Sequence, residues 1–180
     1  MQKAADSLLS RHGDLKAFAV ANNPDAQKAV AVNEEKAVLG ESPMLCTLDA
    51  AYGEGSALLW LIPQLHDLCK TVGVKVKLDD VQLRQLATMI RSEFGYLKAT
   101  EVMLFIYRLK GGHYGEFYGA VDPMRIMRAL RGRFAEERAR VKANHEAALA
   151  EQARIERAKT ALKGEEITRL RQRLQQEGKI

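Results

Sequence analysis

Cysteine, proline and long apolar runs are all scarce in this sequence. Two cysteines among 180 residues are too few for a disulfide framework, so we expect a reducing, cytoplasmic setting. The four prolines leave room for long helices. The most apolar stretch, residues 57–69, is interrupted by Pro63, Gln64, His66 and Asp67 and is too short to span a bilayer. The N-terminal segment also lacks the order of a signal peptide, so we expect no secretion and no membrane partner.

Familiar catalytic and cofactor motifs are missing as well. The sequence contains no Gly-x-Ser-x-Gly elbow, no metalloprotease helix and no paired-carboxylate motif, and no Gly-Lys-Ser/Thr follows its glycines as in a P-loop. Cys69 with His66 is a conceivable nucleophile pair, but an apolar helix disfavours a thiolate. Adding Cys46 and His113 would complete a zinc tetrahedron, although no Cys-x-x-Cys or His-x-x-x-His spacing supports one. We therefore predict a non-enzymatic protein with no metal and no cofactor.

Apolar spacing and helix-start signals predict an all-α fold. Residues 58–68 are apolar enough for a helix that is buried nearly all round. Asp79 or Asp80 is expected to cap the next helix, and Asp122-Pro123 is an N-cap followed by proline at the first helical position. Residues 74–78 alternate like a strand, but no second strand is evident, so we expect an extended connection.

The last helix is expected to be long and to form part of an exposed tail. It begins at Pro123 and is predicted to reach about Lys163, with Gly164 interrupting the pattern. Apolar residues beyond Val141 form a weak heptad, which suits either a partner-binding helix or a partly frayed, solvated one. The fold class is thus all-α, a compact helical domain with a long projecting C-terminal helix. Its expected parts are a loosely packed N-terminal helical segment (1–45), a helical core domain (46–142) and an exposed C-terminal helical tail (143–180).

Positive charge is concentrated in the C-terminal third. Residues 123–180 contain 15 Lys+Arg and 8 Asp+Glu, whereas the rest of the chain contains 13 and 15. The net charge of +5 therefore belongs to that third. A basic region of this kind favours an acidic partner, with nucleic acid the first candidate.

A loop rich in glycine and aromatic residues precedes that last helix. Residues 111–119 contain four glycines together with Tyr114, Phe117 and Tyr118, with basic residues on both sides and a helix N-terminus behind. Such a combination suits a loop that binds phosphates or a single strand. The candidate nucleic-acid-binding residues are Arg108, Lys110, His113, Tyr114, Tyr118, Arg125, Arg128, Arg131, Arg138 and Lys142.

Structural interpretations of the same residues remain open at this point. The loop also suits a simple connection whose rings close the core, because aromatic side chains are most often buried for packing. At about 100° per residue, Arg128, Arg131 and Arg138 line one flank of an α-helix. Such a flank either follows a phosphate backbone or is merely solvated, with Glu136 pairing to Arg140.

The segment also resembles a known family. Lys110-Gly111, the Tyr-Gly-x-x-Tyr of residues 114–118, Asp122 and Glu137-Arg138 follow the order of an uncharacterised family of Bacteroidetes phages and integrative elements, with Gly112 extra here. The resemblance covers roughly residues 80–140 and implies a role in element maintenance, similar to replication accessory factors such as helicase loaders. Our first hypothesis is a nucleic-acid-associated accessory protein of a phage or mobile element. The alternative is a protein–protein adaptor, assembly factor or inhibitor that binds a protein partner through its C-terminal helix.

Overall fold

The computed structural model of the protein describes residues 2–176. Over that range the chain is mainly helical and contains no β-strand, which confirms the predicted all-α class and the long C-terminal helix. The helices are α1 (Gln2–His12), α2 (Leu15–Ala21), α3 (Gln27–Ala31, after a 3-10 turn at Pro24–Ala26), α4 (Glu34–Leu39), α5 (Leu45–Tyr52), α6 (Ser56–Thr71), α7 (Asp80–Phe94), α8 (Ala99–Lys110), α9 (Pro123–Ala129), a π-helical turn (Leu130–Phe134) and α10 (Ala135–Gln176).

The chain divides into two compact units, and the division falls between Ala139 and Arg140. The N-terminal helices lie inside the first unit rather than forming a loose segment of their own. Phe18 of α2 is 0% exposed, and its ring centroid lies 6.1 Å from that of Trp60 in α6. The Trp60 indole N–H also donates to the backbone carbonyl of Asn22 at 2.9 Å. The difference from the expected segmentation arises because the apolar surface of α6 is covered by residues far earlier in the chain.

Helix α8 lies in the centre of the first unit. Five consecutive residues, 102–106, are buried, and consecutive positions on a helix point in all directions around its axis. Contacts with α3, α4 and α6 surround it. Because α8 is fixed on several sides, its C-terminal end is a rigid starting point for the glycine-rich loop that follows.

Local sequence signals define the starts of α7 and α9 as predicted. Asp79 accepts the N–H of Gln82, and the Gln82 side chain accepts the N–H of Asp79, which completes a capping box. Asp122 accepts the N–H of Met124 at 2.8 Å, with Pro123 at the first helical position.

The connection before α7 is extended, as expected, and it has a partner. Val76 forms an isolated parallel bridge with Ala120. Its N–H donates to the Gly119 carbonyl at 3.1 Å, and its carbonyl accepts the N–H of Val121 at 3.0 Å. The bridge therefore fixes the end of the glycine-rich loop to the connection before α7.

The backbone stays helical from Pro123 to Gln176 through α9, the π-helical turn and α10, so the expected interruption at Gly164 is wrong. A single glycine costs a helix only about 1 kcal/mol relative to alanine, and no proline follows it. What does interrupt the α-helical hydrogen bonding is the π-helical turn at Leu130–Phe134.

Among the described residues, no helix combines the length and the apolar character needed to cross a membrane.

Candidate nucleic-acid interface

The glycines of the Gly/Tyr loop, residues 111–119, allow backbone conformations that other residues rarely adopt. Gly112, Gly115 and Gly119 all have positive φ, and Gly115 donates its N–H to the Gly112 carbonyl at 2.8 Å. A Cβ at Gly115 would lie 2.5 Å from Nη2 of Arg125. Only glycine therefore lets this loop and the Arg125 side chain approach so closely.

Tyr114 points from this loop into the core. It is 8% exposed, its ring stacks on Phe105 with centroids 5.3 Å apart, and its hydroxyl donates to Glu137 Oε2 at 2.8 Å. Burial raises the pKa of Tyr114, and the hydrogen bond to Glu137 raises it further. The Tyr114 ring therefore packs in the core of the first unit.

Glu137, which accepts the Tyr114 hydroxyl, is the centre of a cluster of charged side chains. Its carboxylate accepts from Arg108 Nη1 at 2.8 Å and lies 2.7 Å from His113 Nε2, while Arg108 also donates to Glu34 Oε1 at 3.0 Å. Burial opposes ionisation of Glu137, but hydrogen bonds from His113 and Tyr114 and the charge of Arg108 outweigh it, and the pKa of Glu137 is lowered. We call Glu34, Arg108, His113, Tyr114 and Glu137 the Glu137 cluster.

Two further predicted contacts have acidic partners of their own. Lys110 pairs with Asp67 and donates to Gln27 Oε1 at 2.7 Å. Arg131 binds Glu93 through two hydrogen bonds, of 2.5 and 2.6 Å. These side chains join helices of the first unit to one another.

Arg138 is held by a buried carboxylate. Glu101 of α8 is fully buried; it accepts from Arg138 Nε at 2.5 Å and from the Lys98 N–H at 2.8 Å. The Arg138 guanidinium also lies 5.1 Å from the centre of the Tyr96 ring. The start of α10 is thereby fixed to α8.

Three other arginines converge on a cleft instead. Within the part of the chain that the structure describes, Arg125, Arg128 and Arg133 have no ion pair with a carboxylate. Together they line an open cavity of about 470 Å³, which we call the arginine cleft. Its one acidic residue, Asp122, already accepts a backbone N–H at the start of α9. The complete lining is Tyr114, Asp122, Arg125, Arg128, Ala129, Gly132 and Arg133.

The π-helical turn brings two of these arginines to the same cleft. Arg128 and Arg133 are five residues apart, and in an uninterrupted α-helix they would point about 140° away from each other. A π-turn instead closes i→i+5 hydrogen bonds, and such turns are frequent at functional sites. A uniform spacing of 100° per residue groups Arg128 with Arg131 and leaves Arg133 out. The glycine at position 132, inside a predicted helix, was the local sign of an irregular turn.

Aromatic rings border the cleft. The Arg125 guanidinium carbon lies 6.0 Å from the ring centre of Phe117 and 5.9 Å from that of Tyr118, and Tyr118 is 79% exposed. The Arg133 guanidinium carbon lies 5.8 Å from the ring centre of Tyr114. Lys142 belongs to the second unit, beyond the residues that line this cleft.

The cysteine and histidine candidates do not form a centre in the described residues. No group of three or more His, Cys, Asp or Glu side chains there is arranged to hold a metal ion. Burial raises the pKa of the Cys69 thiol, which favours the unreactive protonated form.

The chain belongs to a family of unknown function (DUF6633), whose model matches residues 77–179. The matched range contains the Gly/Tyr loop, the arginine cleft and the long C-terminal helix. No curated protein and no solved structure matches the chain.

Proposed function

We propose that this member of an uncharacterised family binds nucleic acid through phosphate contacts in the arginine cleft, as an accessory protein without an enzymatic step. One observation carries the proposal: Arg125, Arg128 and Arg133 meet at one cavity with no carboxylate partner among residues 2–176. A guanidinium group binds phosphate oxygens in a planar, bidentate manner. Three of them in a concave site are suited to a phosphodiester backbone.

The pairing of the other cations supports this choice of site. Arg108 and Arg138 would have to leave largely buried carboxylates, and Lys110 a partly buried one, before they could bind a phosphate, which is costly. Within the described residues, the cleft arginines have no ion pair to break.

The biological setting that we propose follows from the resemblance at residues 80–140. Lys110-Gly111, residues 114–118, Asp122 and Glu137-Arg138 follow the motif of proteins of phages and integrative elements. A replication accessory factor of such an element, acting in the cytoplasm, is the role we favour.

Fluorescence anisotropy with labelled single-stranded and double-stranded DNA, across a salt series, tests the proposal. The variant Arg125→Ala/Arg128→Ala/Arg133→Ala should weaken binding. It should also reduce the magnitude of the slope of log K against log salt by about two to three, because each phosphate contact contributes about 0.7–0.9. The matched control is Arg154→Ala/Arg157→Ala/Lys159→Ala, which removes the same charge from α10.

Two results would contradict the proposal. One is an absence of binding even at low salt. The other is a salt slope that the cleft variant leaves unchanged or that the α10 control reduces equally.

Exposed apolar residues on α10 favour a second candidate, a protein–protein adaptor. Leu149, Ile155, Ile167 and Leu170 are all exposed on a helix whose other side chains are mainly polar. Apolar residues along such a helix suit capture of a partner helix. The variant Ile155→Gln/Ile167→Gln/Leu170→Gln should abolish partner recovery or lower the oligomeric mass in light scattering, with unchanged helicity. Unchanged mass and recovery would exclude this role for α10.

A further inference from the structure

We infer that the arginine cleft selects single-stranded nucleic acid, and that Tyr118 stacks on a base next to the bound phosphate. This inference rests on the proposed phosphate binding and names its substrate class. It depends on the exposed Tyr118 ring, the rigidity of the loop that carries it and its position beside Arg125.

Tyr118 is exposed to a degree that core packing does not explain. The residue is 79% exposed, against 47% for Tyr96 and 39% for Tyr107. Tyr114 and Tyr118 lie in the same loop, yet only the former packs into the core. An aromatic ring left in water beside a cationic site is available for a ligand with a flat face.

The backbone around Tyr118 is held in place. The Tyr118 carbonyl accepts the N–H of Ala120 at 2.9 Å, and the Gly119 carbonyl accepts the N–H of Val76 at 3.1 Å. Gly119 adopts a φ of 74°, which only glycine does at little cost. A ring on a fixed backbone loses less conformational freedom on binding than one on a mobile loop.

Arg125 connects the exposed ring to the cleft. Its guanidinium lies 5.9 Å from the Tyr118 ring centre and also lines the cavity with Arg128 and Arg133. A strand whose phosphate binds Arg125 would therefore bring an adjoining base to Tyr118. Aromatic rings next to basic residues are the usual construction of single-strand sites.

A duplex cannot use this arrangement. Its bases are stacked on one another and expose only their edges in the grooves, so no base face is free for Tyr118. In a single strand the face is available to any base. The preference for single strands should consequently be independent of sequence.

The experiment compares Tyr118→Ala with Tyr118→Phe and with the control Tyr107→Ala, which removes a partly exposed tyrosine from α8. Each is titrated by anisotropy across one salt series with a labelled single strand, a duplex of equal length, and the same single strand with abasic sites. The abasic strand retains every phosphate and loses the bases.

The wild type should bind the single strand about tenfold more tightly than the duplex, and Tyr118→Ala should remove about that factor. Tyr118→Phe and Tyr107→Ala should bind the single strand with wild-type affinity. The salt slope of Tyr118→Ala should equal that of the wild type, because the substitution removes no phosphate contact. The abasic strand should bind wild type and Tyr118→Ala equally, because the base and the ring act as a coupled pair.

The outcomes separate this inference from the proposal beneath it. Equal wild-type affinity for single strand and duplex, or an undiminished effect of Tyr118→Ala on the abasic strand, would overturn the stacking role while salt-dependent binding still supported the cleft. Absence of binding to all three nucleic acids at low salt would overturn both.

Discussion

On the Glu137 side of the Gly/Tyr loop basic side chains are neutralised, whereas on the cleft side they are not. Arg108 has two carboxylate partners, while Arg125 and Arg128 have none within the described range. Both groups are contributed by the same stretch of basic sequence. A pI of about 9.2 thus reveals how much positive charge the chain has, and the pairing decides where it is accessible.

The two sides should therefore respond differently to mutation. Removing one member of a buried pair leaves the other charge without a partner and destabilises the fold. Removing an unpaired, solvated arginine changes stability little and changes binding instead.

Glu101→Ala removes the carboxylate of the Glu101–Arg138 pair, whose acid is fully buried. We expect the free energy of unfolding to fall by about 3–5 kcal/mol, since Arg138 and the Lys98 N–H both lose their acceptor. Urea unfolding monitored by circular dichroism measures it. Glu101→Gln keeps an acceptor for the Lys98 N–H and should cost less. A loss below about 1 kcal/mol for Glu101→Ala would show that the pair does not stabilise the first unit.

Glu137→Gln should cost about 1–3 kcal/mol near neutral pH, because three side chains hydrogen-bond this carboxylate. The pKa of Glu137 is lowered in the folded state from the ordinary value of 4.5. Its ionic contribution is thus complete above that value and is lost as the pH falls through the lower, folded-state pKa. The difference in stability between wild type and variant should shrink between pH 5 and pH 3 in urea titrations. A difference that stays constant over this range would contradict the assignment.

Gly132→Glu introduces a carboxylate on the open side. A Cβ at Gly132 meets nothing within 4 Å, so a side chain can start there without a clash, and its charge should weaken DNA binding about tenfold. Gly164→Glu is the matched control, since that position is equally open and lies in the second unit. Equal effects of the two substitutions in anisotropy titrations would show that overall charge, rather than the cleft, governs binding.

Glu93→Gln should have the smallest effect. It releases Arg131 from an exposed pair, and exposed pairs contribute little to stability. The unfolding midpoint should stay the same, and DNA binding should tighten by about twofold through the added positive charge. Weaker binding of this variant would mean that the Arg131–Glu93 pair is itself part of the interface.

The starts of α7 and α9 could be predicted from residues that are close together in the sequence. The capping box at Asp79 and the Asp122-Pro123 start depend on hydrogen bonds across three residues or fewer, so composition and order predict them. The burial of Phe18 could not be read in the same way. It packs on Trp60, a residue in another helix much further along the chain.

In the candidate site, too, contacts between distant residues could not be predicted from the sequence. The glycines, tyrosines and arginines of residues 107–138 predicted a basic loop, but not which of its members face outward. Arg108 is neutralised partly by Glu34, 74 residues away, and Arg138 by Glu101, 37 residues away. The π-turn that aligns Arg128 with Arg133 is likewise invisible to a uniform helical spacing.

By itself the sequence determined the helical class, the capped helix starts and the concentration of basic residues beside a glycine-rich loop, because these depend on short-range hydrogen bonding and side-chain periodicity. Tertiary structure alone decided that Tyr114 is buried, that Tyr118 is exposed and that three arginines at one cleft have no carboxylate partner between residues 2 and 176. Those outcomes depend on which distant carboxylates and apolar faces the packed helices bring together, and no local pattern carries that information.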